Sequence, residues 1–208
     1  MSAKINFIHK FVPTTNPNNR ITLLLLHGTG GNENDLIPLA SQLSPGSPIV
    51  SPRGKVLENG MPRYFRRFAE GVFDIEDLKY RTDELADFVK SAATYYGFDP
   101  KTVVCVGYSN GANIGVSLLL IHPSVLRGAI LFRPMVPLVP ERTPKLSNGQ
   151  IYISAGLTDP IVPRNETERL ARLLREYGAT VTLNYVHSGH AITDLEVEDA
   201  RTWLQQKF

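Results

Sequence analysis

In the stretch "CVGYSNGAN", Ser109 stands between Gly107 and Gly111, directly behind an apolar run and directly ahead of a helix-forming one. A serine on a sharp turn from strand to helix presents its hydroxyl to solvent, and glycines two places to either side let the two elements approach closely enough to make that turn. The chemistry on offer is nucleophilic attack on an acyl carbon, but a serine hydroxyl attacks only if a base takes its proton. Glycine spacing alone explains how a turn is made, so the case rests on what else the chain supplies.

The chain has five histidines: His9, His27, His122, His187 and His190. His9 lies in the first strand segment, and His122 in "IHPS" closes the helix behind the turn, where it reads as a cap. His187 and His190 both fall in "VHSGHAI", behind the last strand segment. Gly189 gives that loop freedom to turn an imidazole inward, which favours His190 as the base. An acid must hold the base in the right tautomer, and Asp159 in "ISAGLTDPIVP" follows the preceding strand, its loop stiffened by Pro160. Asp194 and Asp199 read as surface or capping groups of the closing helix. Donors for the oxyanion are expected from the glycine-rich "LLLLHGTGGNENDL", through the backbone amide of Thr29, and from the amide of Asn110 behind the nucleophile. "HGTGG" lacks the lysine of a phosphate loop and the spacing of a dinucleotide loop. His27 reads as an anchor for this loop.

These residues need strand ends to sit on, and the chain provides them. "RITLLLLHG" is apolar almost throughout, as suits a strand covered on both faces. The segment from about Ile5 to Val12, separated from it by the turn-rich "PTTNPNNR", suggests an antiparallel pair at the start. Helix and strand signals then alternate: helix in "NENDLIPLASQL", strand in "PIVSPRG", a long helix in "FDIEDLKYRTDELADFVKSAATYYG" stopping at Gly97, strand "KTVVCVG", helix "NGANIGVSLLLIH", strands "GAILF" and "QIYISAG". Helix "NETERLARLLREYG", strand "TVTLNYV" and a final helix around "LEVEDARTWLQQ" follow. Such alternation implies an α/β fold with a mainly parallel, doubly wound sheet flanked by helices. Ligands of such sheets bind beyond the carboxyl ends of the strands.

The motifs "LLLLHGTGGNENDL", "SPRG", "GYSNGA", "AGLTDPIVP" and "GHAI" together resemble the phospholipase/carboxylesterase group of the α/β-hydrolases, nearest to its small bacterial carboxylesterases with a His-Gly-Thr-Gly-Gly loop. The resemblance covers nearly the whole chain. It implies one α/β-hydrolase domain over residues 1–208 with no separate cap domain, a serine esterase triad of Ser109, Asp159 and His190, and oxyanion donors at Thr29 and Asn110. Relatives of this type often pair as homodimers. Dienelactone hydrolases and acyl-protein thioesterases are similar in outline, but the former use a cysteine where this chain has Ser109, and the latter usually read "HGLGD" in place of "HGTGG".

The expected reaction is hydrolysis of a small carboxylic ester through an acyl-enzyme. A thioesterase, a cofactor-free perhydrolase or a non-catalytic ligand-sensing protein would keep the same residues. An apolar ester pocket is expected from two loops, "GMPRYFRRFAEGVFD" with Tyr64, Phe65, Phe68 and Phe73, and "LFRPMVPL" with Phe132, Met135 and Val136. Arg66 and Arg133 would suit either an acidic substrate or an ion pair. No metal or organic cofactor is called for. At 42% hydrophobic residues the chain can bury a sizeable core. Its net charge of +2, with only the short cluster Arg63, Arg66 and Arg67, argues against a nucleic-acid partner. The start "MSAKINFIHKF" does not read as a signal peptide and no apolar run spans a membrane. The single cysteine, Cys105, reads as a buried strand residue, so a cytoplasmic enzyme is the expectation.

Overall fold

The computed structural model describes residues 5–16, 18–147 and 149–208. The opening residues 1–4, part of the segment read for a signal peptide, lie outside them. Alternation of side chains explains the layering. Along β2 (Thr22–Leu26), buried throughout, Leu24 and Leu26 enter one core while Leu23 and Leu25 enter another. β8 (Val103–Tyr108) does the same with Cys105 against Val104 and Val106, and β9 (Gly128–Phe132) with Leu131 against Ile130 and Phe132. In β10 (Gln150–Gly156), Ile151 and Ile153 face one way and Tyr152 the other. A strand has a side-chain period of two, so a run apolar at every position must be covered on both faces.

Helices α2 (Ile75–Tyr96), α3 (Asn110–Ile121) and α4 (Arg164–Glu176) cover the first face, and α1 (Ile37–Leu43) and α5 (Asp194–Lys207) the second. α2 starts where Asp74 accepts the Asp77 amide and stops at Gly97, whose left-handed backbone no β-carbon hinders. α1 is shorter than its sequence pattern suggests, with Pro38 in its first turn.

Among the described residues the main sheet has seven strands in the order β1-β3-β2-β8-β9-β10-β11, where β1 is His9–Val12, β3 is Ile49–Pro52 and β11 is Thr180–Val186. All neighbours run parallel except β1 against β3. That is a correction: the antiparallel partner of β1 is β3, because β2 already has β3 on one side and β8 on the other. The interval before α2 also departs from a plain loop. β4 (Val56–Glu58) and β5 (Met61–Arg63) form a hairpin, and β6 (Arg67–Ala69) and β7 (Val72–Phe73) another. Asn59 and Gly60, both at positive φ, make the two-residue turn of the first. No described element stands apart as a cap, and no described helix is long and apolar enough to cross a membrane.

Candidate active site

Ser109 follows β8 and caps α3 with φ 51° and ψ −113°. A residue with a β-carbon rarely adopts this backbone, which costs on the order of 1–3 kcal/mol and persists only where its surroundings impose it. Here the Ser109 amide donates to the Phe132 carbonyl at 2.9 Å, and the Ser109 carbonyl accepts from the Asn113 amide at 2.9 Å. The flanking glycines are steric necessities. A β-carbon at Gly107 would strike the backbone of Gly111 and Ala112, and one at Gly111 would strike the Leu26 carbonyl.

The Ser109 hydroxyl lies 3.0 Å from Nε2 of His190, and Nδ1 of His190 lies 2.8 Å from Oδ2 of Asp159. An ionised carboxylate only accepts, so Nδ1 carries the proton and Nε2 is left to accept from the serine. The Asp159 side chain is nearly sealed from solvent, and its other oxygen accepts from the amides of Ile161 and Val162 at 2.8 and 3.1 Å. Three separate strand ends, those of β8, β10 and β11, thus meet in one hydrogen-bonded line.

The glycine-rich loop folds beside them. Gly30 donates to Pro62 O at 2.9 Å and Gly31 to Gly28 O at 3.1 Å. The amides of Thr29 and Asn110, by contrast, donate to no other protein group among the described residues. His27, buried, donates from Nδ1 to Gly28 O at 2.7 Å and accepts from the Gly54 amide at Nε2 at 3.0 Å. Burial lowers its pKa, the hydrogen bond to Gly28 opposing, so it stays a neutral anchor. Tyr64 is a second anchor, its hydroxyl donating to Pro52 O at 2.7 Å and accepting from the His27 amide.

The cavity at Ser109 holds about 280 Å³ and is bordered by Thr29, Arg63, Arg67, Phe73, Met135 and Ile161 besides the Ser109–His190 pair. Of the residues expected to line it, only Phe73 and Met135 do. Tyr64 and Phe65 are buried in the core beneath, Phe132 belongs to the core on the other face of the sheet, Val136 packs against the first core, and Phe68 is 76% exposed. Tyr64 and Phe65 lie in the bend that joins the two hairpins and both turn into the core, whereas in β6 alternation turns Arg67 to the cavity and Phe68 to solvent. Arg66 also points away, pairing with Asp74 at 3.1 Å on the surface. His187 is exposed; His122 caps α3 and bonds Asp83. Cys105 is buried, which raises its thiol pKa.

Of the two readings open for Arg133 the structure shows the ion pair, and the place of Tyr108 has no sequence signal. Arg133, at φ 58° behind β9, is fully buried and donates to Gly189 O at 2.9 Å and Ala191 O at 2.7 Å, gripping the backbone on both sides of His190. It pairs with Glu196, equally buried, which also accepts from Ser154 and Thr193. Burial pushes the Glu196 pKa up, but the bonds from Arg133, Ser154 and Thr193 outweigh it and leave it lowered. The spacing Thr193-x-x-Glu196 was a legible capping box; that the same carboxylate also meets an arginine was not. Tyr108 donates to the His190 carbonyl at 3.2 Å and lies beside the imidazole.

A mainly parallel sheet with a serine elbow at a central strand end places the fold among the α/β-hydrolases. The profile of the phospholipase/carboxylesterase family matches residues 9–208, and the chain belongs to that family. MhqD of Bacillus subtilis (strain 168), which carries the name of a hydrolase, is 48% identical over 184 residues, 88% of this chain and 92% of its own. The crystal structure of the Bacillus cereus carboxylesterase superposes with a TM-score of 0.95 at 46% identity, covering 98% of this chain and 95% of that one. A carboxylesterase from Mesorhizobium loti gives 0.86 at 34% identity, over 90% and 89% of the two chains. Family and structural matches together support ester hydrolysis as the activity of this chain.

Proposed function

We propose that the chain is a serine carboxylesterase acting on small carboxylic esters in the cytoplasm, by way of an acyl-enzyme. The observation that carries this reading is the line from Ser109 Oγ through His190 to Asp159, with contacts of 3.0 and 2.8 Å. His190 Nε2 takes the serine proton as Oγ attacks the ester carbonyl. Asp159 stabilises the resulting imidazolium, and the unengaged amides of Thr29 and Asn110 hold the oxyanion. The tetrahedral adduct collapses as His190 returns the proton to the departing alkoxide, leaving Ser109 acylated. Water, deprotonated by the same histidine, then attacks the acyl group, and the serine leaves with the proton regained. The small cavity favours short esters.

A fluorophosphonate probe should label Ser109. Ser109→Ala should abolish labelling and lower p-nitrophenyl acetate hydrolysis by about a thousandfold or more, since the members of a triad act as one unit. Undiminished turnover in that variant would sink the assignment, and an unlabelled, inactive wild type would favour a ligand-sensing protein.

A further inference from the structure

One wall of the cavity is cationic and incompletely answered. Arg63 is only 2% exposed yet borders the cavity. Its Nη1 donates to Thr29 Oγ1 at 2.7 Å and its Nε to Phe65 O at 3.3 Å, while Nη2 has no protein acceptor among the described residues. Arg67 borders the same space; its Nε and Nη2 engage Glu58, and its Nη1 has no protein acceptor there either. Both guanidiniums lean on that one carboxylate, at 3.1 Å from Arg63 and 2.8 Å from Arg67. Two guanidiniums thus share one ion-paired carboxylate, and each keeps a terminal nitrogen open. Burial and the neighbouring Arg67 lower the Arg63 pKa, with Glu58 and the more distant Glu70 opposing, but an arginine keeps its charge regardless.

Further features of this wall point the same way. Asn110, also on it, spends its Oδ1 on the Tyr64 amide and leaves a buried Nδ2 without an acceptor. The acidic residue bordering the cavity, Glu70, is exposed and forms no ion pair with either arginine. The buried part of the wall therefore presents donors, and the free carboxylate on the cavity, Glu70, sits at its exposed edge.

We propose that the ester this site takes bears a carboxylate, held by Nη2 of Arg63 and Nη1 of Arg67. This rests on the esterase reading of Ser109 and names the substrate class within it. Planar guanidinium forks suit carboxylate oxygens, and desolvation strengthens the contact. The geometry also sets a length. Arg63 is bonded to the side chain of Thr29, the residue whose amide is assigned to the oxyanion, so the charge sits only a short spacer from the scissile carbonyl. A cavity of about 280 Å³ has room for little more.

The test uses matched esters and the whole protein, with rates taken per ester bond by titration of released acid. Monomethyl succinate against dimethyl succinate probes a carboxylate on the acyl side; acetoxyacetate against its methyl ester probes the alcohol side. The anion should win in at least one pair by about tenfold in kcat/KM, the return on a charged hydrogen-bonded contact, mainly through KM. Arg67→Gln should bring that ratio down severalfold, and added salt should erode it in the wild type. Ratios near one in both pairs, while Ser109 still labels and p-nitrophenyl acetate is still hydrolysed, would overturn this proposal and leave the esterase intact. Preference for a cationic choline ester would overturn it too, handing selectivity to Glu70. Absence of labelling and of all ester turnover removes the esterase reading, and this proposal with it.

Discussion

Arg63 and Arg133 are both withdrawn from solvent at the edge of one cavity, and the fold treats them in opposite ways. Arg133 has a carboxylate to itself, Glu196, lies 3.7 Å from a second, Asp159, and turns its remaining donors to Ser154 O, Ser188 Oγ, Gly189 O and Ala191 O. Arg63 shares Glu58 with Arg67 and keeps a terminal nitrogen unengaged. A buried charge with every donor answered is a fastener. One that is half answered facing a cavity has capacity left for a ligand. Burial alone does not tell the two apart; the hydrogen-bond ledger of each guanidinium does.

The widest separation should come from Arg133→Met. It strands Glu196 without its cation and releases the carbonyls on either side of His190, and breaking a buried pair from one end costs about 3–5 kcal/mol. The thermal midpoint should fall by roughly 6–20 °C, with a loss of kcat in the residual folded enzyme as His190 loses its hold. Arg133→Lys should not restore either quantity, because a single ammonium cannot reach the carboxylate and both carbonyls. A midpoint within about 2 °C of wild type by circular dichroism would show that the clamp is dispensable.

The acid limb of the stability curve comes next. The Glu196 pKa is lowered in the folded state. Its stabilisation is therefore complete above the ordinary glutamate range and is lost as pH falls through the lowered value. Glu196→Gln should be less stable than wild type at pH 7 by about 1–3 kcal/mol. The two should draw together in acid, where the wild-type carboxyl is itself protonated. Urea titrations from neutral to acid pH measure the gap; a constant gap would mean that Glu196 acts through shape rather than charge.

How these side chains read in the sequence follows from how local their signals are. Ser109 announces itself because Gly107 and Gly111 are steric demands of one turn, visible within five residues. Asp159 and His190 are legible because each sits just behind a strand that the apolar pattern reveals. The Arg133–Glu196 pair joins residues far apart in sequence, and nothing near either names the other. The aromatic run before α2 misleads for a different reason. Asn59-Gly60 was a hairpin signal, and once the hairpins form, the bend between them carries Tyr64 and Phe65 into the core while Arg63 and Arg67, on the strands to either side, take the wall. Adjacency in sequence suggests β1 against β2, but β3 and β8 occupy both edges of β2, which leaves β1 to the free edge of β3.

A smaller effect sharpens the picture on the His190 side. Tyr108 is a third tie on that loop, through one neutral bond of 3.2 Å to the His190 carbonyl. Tyr108→Phe keeps the ring beside the imidazole and deletes only that bond, so stability should fall by about 1 kcal/mol and kcat by a few-fold. A drop in kcat as large as that of Ser109→Ala would mean that the hydroxyl takes part in the chemistry.

The smallest change in stability should belong to Arg63→Met, although the residue is nearly as buried as Arg133. Its removal leaves Glu58 with Arg67, so no carboxylate is stranded. What is lost is the bond to Thr29 Oγ1, whose hydroxyl borders the cavity and can turn to water, and a weak contact to Phe65 O. What is gained is relief from holding two guanidiniums against one charge in a desolvated wall, a relief that exchange of a buried ion for an apolar side chain commonly brings. The net should lie within about 1 kcal/mol of zero, read by urea unfolding beside Arg133→Met. A loss of 3 kcal/mol or more would make Arg63 a fastener like Arg133, and its open nitrogen an accident of packing rather than a place for a ligand.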